Sequence, residues 1–116
     1  MDPLDLGASA TFVSRQCWLH GDVLSIEQQP ARGAAELSCY RVEELDPLPG
    51  LVGRVFRLHP LGRRGGEVYR VVVGGLPSCS CKSGQCRREL GADACKHLAA
   101  LTALAEAEFQ PLQPQR

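Results

Sequence analysis

Four residues stand out for the chemistry their types and spacing allow: Cys79 and Cys81, then, after thirteen intervening residues, Cys95 and His97. Three thiolates and one imidazole form a closed tetrahedral set of the kind Zn²⁺ adopts in structural sites, leaving no coordination position for a substrate. In a continuous helix Cys95 and His97 would lie about 200° apart, so both reach one metal only if Cys95 sits at or just before a helix start and His97 projects from its first turn. Cys79 and Cys81 share a face of a regular strand, and a bent strand end after Pro77 could turn both sulfurs to one point. The expected ion is Zn²⁺, stapling strand to helix. Such a site carries a net charge of −1.

The flanking sequence must supply those two elements. Glu67 to Val73 (EVYRVVV) is the most β-branched stretch, and Leu51 to His59 (LVGRVFRLH) alternates in the manner of a strand, so a hairpin is expected across the glycine-rich turn 60–66. Asp22 to Gln28 and Glu36 to Glu43 read as an earlier hairpin about Pro30-Ala31-Arg32-Gly33. From Ala94 the period changes: His97, Leu98, Leu101, Leu104, Ala105 and Phe109 fall on one side of a helix, with Asp93 as a plausible N-cap and Pro111 as its end. The expected fold is therefore α+β, a small antiparallel β-sheet of four to five short strands followed by one C-terminal helix, stapled by a structural zinc. Its core should include Val55, Phe56, Leu58, Tyr69, Val71, Val73, Leu98, Leu101 and Leu104. The organisation expected along the chain is a flexible tail over 1–10, a β-rich half over 11–50, a finger of hairpin, ligand loop and helix over 51–109, and a second tail over 110–116. Tyr40-Arg41-Val42 recurs as Tyr69-Arg70-Val71, too short a match to establish a repeat.

Cys79-x-Cys81 with Cys95-x-His97, followed by Leu98-Ala99-Ala100-Leu101 and preceded by Tyr69-Arg70-Val71, resembles the SWIM-type zinc finger over about residues 54–107. The resemblance implies a β-hairpin leading through the first ligand pair to a helix that starts at the second, zinc binding, and a role in contacting DNA or protein partners. Members often sit beside larger enzymatic domains. None accompanies the motif in this chain, so the expectation is a small stand-alone finger protein.

Charge and composition narrow the function. The chain has 116 residues, and its 13 basic and 13 acidic side chains cancel. They are not evenly spread: residues 1–50 carry eight acids and three bases (net −5), 51–100 nine bases and three acids (net +6), and 101–116 two acids and one base (net −1). Lys82, Arg87, Arg88 and Lys96 bracket the ligands, with Arg54, Arg57, Arg63, Arg64 and Arg70 on the preceding hairpin, and a continuous face of this kind would bind phosphates. The competing reading is a basic face paired with the acidic first half of the same chain. No apolar run approaches the length that spans a bilayer. The acidic Met1-Asp2-Pro3-Leu4-Asp5 lacks the character of a secretory leader, so a cytoplasmic, reducing setting is expected, in which thiols are metal ligands before they are disulfides. Cys86 is a fifth candidate ligand, able to replace Cys81 but expected to be free. Cys17 and Cys39 read as core or strand thiols, and His20 and His59 as surface or turn residues. No nucleophile and base pair occurs at interpretable spacing. The function expected is a non-catalytic module without a small-molecule substrate or membrane partner, contacting nucleic acid, or alternatively an adaptor for another protein. A thiol redox protein using Cys79, Cys81 and Cys86 is the third and least favoured reading.

Overall fold

The computed structural model describes residues 2–9, 11–46, 50, 53–62, 66–75, 77–81 and 95–107. Its strands are β1 (Leu4–Asp5), β2 (Phe12–His20), β3 (Val23–Pro30), β4 (Glu36–Leu45), β5 (Arg54–Leu61), β6 (Tyr69–Val73) and β7 (Ser78–Cys79), and one helix follows, α1 (Lys96–Glu106). Each strand pairs antiparallel with the next, giving one seven-stranded sheet in the order β1-β2-β3-β4-β5-β6-β7. The sheet curls into a half-barrel. The expected α+β fold with four to five short strands is therefore corrected: the chain is mostly antiparallel β, with one short helix.

The four strands anticipated from β-branched content correspond to β3 to β6. The added ones have physical reasons for having been missed. Along β2 the inward positions are Arg15, Cys17 and Leu19, whereas Trp18 points to the other face. A charged residue in the buried row and the largest aromatic outside it blur the period-two signal. The strands β1 and β7 are two residues long, too short to show any period. β2 turns into β3 through Gly21-Asp22, where Gly21 takes φ 65°, a left-handed conformation that glycine adopts without steric cost.

One face of the sheet is buried. Cys17, Leu19, Leu24, Ile26, Tyr40, Val42, Phe56, Leu58, Val71, Val73 and Cys79 form a single core with Leu98, Ala100, Leu101 and Leu104 of the helix. Of the expected core residues Tyr69 is only half-buried, and Val55 is buried outside this cluster. The helix packs on β6, β7 and β1, so it lies where the two ends of the sheet would otherwise stay open. Close packing at the β5 start requires Gly53, because a Cβ there would run into the Val73 carbonyl oxygen.

Candidate metal centre

The seam between β7 and α1 gathers the ligand candidates. Cys79 pairs with Val71 and is almost fully buried. Ser80 points outward, its N–H donating to the Arg70 carbonyl at 3.0 Å and its Oγ accepting from the Arg70 N–H at 2.9 Å. That clasp prolongs the pairing by one residue and returns Cys81 to the inner side. On the helix side Cys95 is the N-cap, with φ −63° and ψ 160°, and its Sγ accepts from the Leu98 N–H at 3.4 Å. Expected as the cap, Asp93 is displaced from that role by Cys95, whose sulfur satisfies one of the unpaired helix-start N–H groups. His97 follows in the first turn, 5% exposed.

The four ligand atoms lie within 4.8 Å of one another. His97 Nδ1 is 3.8 Å from Cys79 Sγ and 3.9 Å from Cys95 Sγ. A tetrahedron with bonds of about 2.0 to 2.3 Å has edges of about 3.5 to 3.8 Å, so the cluster needs only a small contraction to enclose an ion. With Nδ1 as the ligand atom, the ring proton sits on Nε2 and is donated to the Tyr40 hydroxyl oxygen 2.8 Å away. Two tyrosines fix the ring further: Tyr69 lies across it at 4.5 Å and Tyr40 meets it edge-on at 5.1 Å. Burial, and then the nearby Lys96 charge, pull His97 down to about 4, which keeps the imidazole neutral, the form that ligates. Burial pushes the Tyr40 phenol up to about 12, so it remains protonated.

No protein-family model, curated protein or solved structure matches the chain. Its chemistry is therefore read from its own geometry. Cys79, Cys81, Cys95 and His97 together are compatible with a metal ion.

The other candidates are placed as follows. Lys82, Cys86, Arg87 and Arg88 lie outside the described residues, as do Arg63 and Arg64. Lys96 is half-buried, its ammonium donating to Ser38 Oγ on β4 at 2.8 Å. Cys17 is fully buried, and that burial raises its thiol to about 11, the behaviour of an inert core thiol. Cys39 is half-buried, 3.5 Å from Ser25 Oγ. His20 is exposed, and His59 bonds Glu43 at 3.0 Å.

Sequence reasoning missed the contribution of β4. Tyr40 orients the histidine from the opposite half of the chain, and Ser38 beside it receives Lys96. One signal did exist. The two copies of Tyr-Arg-Val place Tyr40 and Tyr69 on either side of β5, their rings 6.5 Å apart and both against His97.

Proposed function

We propose that this chain is a non-catalytic binding module whose Cys79, Cys81, Cys95 and His97 hold a structural Zn²⁺, and whose basic surface contacts the backbone of nucleic acid. One observation carries the reading: a complete four-ligand set drawn from a strand end and a helix start, with its histidine held by a buried tyrosine. Three soft thiolates and an imidazole in tetrahedral array suit Zn²⁺ over harder ions that prefer oxygen. Four protein ligands leave no open position for substrate, which is why the module is read as structural. The resemblance to SWIM-type fingers agrees with this assignment.

The outer face of the sheet supports the nucleic-acid part. Arg57 and Arg70 stand directly opposite each other across β5 and β6, and Arg41 is exposed on β4. Glu43 is 3.6 Å from Arg57 and also engages His59. Like charges opposed across a ladder are unfavourable by themselves and gain from an anion between them. Ser80, clasped to Arg70, leads in sequence into the segment bearing Lys82, Arg87 and Arg88. A salt titration of duplex DNA binding tests this. Affinity should fall steeply as salt rises, and the slope should decrease by about one for each phosphate contact removed by neutralising Arg57, Arg70, Arg87 or Arg88. Absence of binding at low salt overturns it.

The protein-adaptor reading has its own observation. Leu37 and Leu61, 59% and 47% exposed, flank Cys39 on the outer face. Apolar side chains left in water beside a sheet suit a protein partner better than a phosphate backbone. Among the described residues no helix is long and apolar enough to cross a membrane.

A further inference from the structure

Trp18 is the only tryptophan in the chain, and β2 turns it away from the core: Cys17 and Leu19 on either side are buried, while Trp18 is half-buried on the outer face. Register fixes its neighbours, since residues opposite one another in an antiparallel pair share a face. Trp18 stands opposite Ser25, Ser25 opposite Cys39, and Cys39 opposite Leu61. One row across four strands thus has an indole at one end, a leucine at the other and two small side chains between. The next row runs from His20 through Val23 and Arg41 to His59, and the row after it sets Glu43, Arg57 and Arg70 side by side. The outer face therefore grades from aromatic and apolar to cationic over two rows, about 13 Å along the strands. The carboxylates on this face are engaged: Glu43 by Arg57 and His59, and Glu27, on the far side of the Trp18 row, by Gln16 Nε2 at 2.7 Å.

A partner for this face has to match both ends of that gradient. A duplex backbone meets the arginines and leaves Trp18 and Leu61 without a counterpart, whereas an apolar protein surface leaves Arg41, Arg57 and Arg70 unmatched. A single strand carries both kinds of group, unstacked bases and phosphates, and aromatic side chains beside a basic track hold such strands irrespective of sequence. We propose that the outer face of the sheet binds single-stranded nucleic acid, with a base stacked on Trp18 and the adjoining phosphates running along Arg41, Arg57 and Arg70; the inference rests on the nucleic-acid reading above and gives it a substrate class. Ser25 and Cys39, 3.5 Å apart, keep the floor beside the indole low. Duplex is still held, through its phosphates alone, and more weakly.

The test uses the full chain and two probes at one salt concentration, an oligothymidylate of about sixteen residues and a G·C-rich duplex of the same length. Because Trp18 is the only tryptophan, its own fluorescence reports a base stacked on it. The oligothymidylate should quench that fluorescence and bind about tenfold or more tighter than the duplex. Trp18→Ala should weaken the oligothymidylate about 5- to 150-fold, the loss of one stacked base, and change duplex binding by about twofold or less. Trp18→Phe should keep most of the affinity. Arg57→Gln or Arg70→Gln should lower the salt slope on the single strand by about 0.7 each, while Trp18→Ala leaves that slope unchanged. With the unsubstituted chain, an abasic strand of the same length should bind more weakly than the oligothymidylate by a factor like that of Trp18→Ala and quench nothing, a readout that stands even where Trp18→Ala does not fold. Absence of binding of either probe at low salt overturns the nucleic-acid reading and the platform with it. Duplex bound as tightly as the single strand, no quenching, or an abasic strand bound as well as oligothymidylate overturns the platform alone and leaves the nucleic-acid reading standing.

Discussion

Between β2 and β5 the strands are eight to ten residues long and pair over most of their length, whereas β1 and β7 contribute two residues each to the seam that α1 covers. The long ladders satisfy their backbone groups among themselves and bury Leu24, Ile26, Val42, Phe56 and Leu58 between them and the helix. At the seam the backbone offers little, so side chains take over the fastening: three cysteines and a histidine, the Tyr40 hydroxyl, the Lys96 bond to Ser38 and the Arg15 bonds to the Leu6 and Gly7 carbonyls. The contrast teaches that the ladder region depends on apolar area and the seam on polar side chains, with coordination added if the proposed zinc is bound, so the two should respond to different perturbations.

Removing a ligand should separate them most strongly. Cys95→Ser takes away a thiolate and weakens the helix cap together; structural zinc contributes on the order of 10 kcal/mol in finger peptides, so zinc content should vanish and helical circular dichroism should fall. Full zinc stoichiometry with an unchanged melting temperature would show that Cys95 is not a ligand and does not hold the seam. Phe56→Ala, on the ladder side, should cost about 3 to 5 kcal/mol in denaturant unfolding, by the same amount with or without chelator. A chelator-dependent cost would merge the two regions into one. Tyr40→Phe leaves the His97 ring N–H buried without its acceptor, and should weaken zinc about tenfold or more while costing about 1 to 3 kcal/mol. Acid should act on the seam first. The docked His97 resists protonation down to about 4, while an undocked one titrates near its ordinary 6.5, so the undocked form binds more protons between those values. Helix docking should therefore weaken as pH falls from about 6.5 to 4, at up to about 1.4 kcal/mol per pH unit, followed by zinc release against pH. Smallest of all, Glu43→Gln breaks an exposed pair with Arg57 and a bond to His59 on the outer face, and should change stability by about 1 kcal/mol or less.

The sequence made the ligands legible because thiolate and imidazole spacing is a local property: Cys-x-Cys follows the strand period, and Cys-x-His fits a helix start. The strands β3 to β6 were legible for the same reason, through β-branched runs and turn residues. What stayed hidden depends on partners far along the chain. Tyr40 and His97 are 57 positions apart, and nothing in residues 36–45 marks a tyrosine that will receive an imidazole proton. Arg15 even argues against its own strand, since a buried arginine makes sense only once the Leu6 and Gly7 carbonyls are seen to receive it. The fold class was misjudged because two-residue strands carry no pattern, and because β2 hides its inner row.

The strict β1-to-β7 order carries a consequence for how the molecule is made. In a meander each strand can pair with the one synthesised just before it, so most ladders close over short loops and can form early. The contact between β1 and α1 is the opposite case, closing a separation of about ninety residues, and it must wait for the last element to arrive. The ligand cluster lies wholly between Cys79 and His97, so the proposed metal site closes over a short loop and does not have to wait for β1 to be covered.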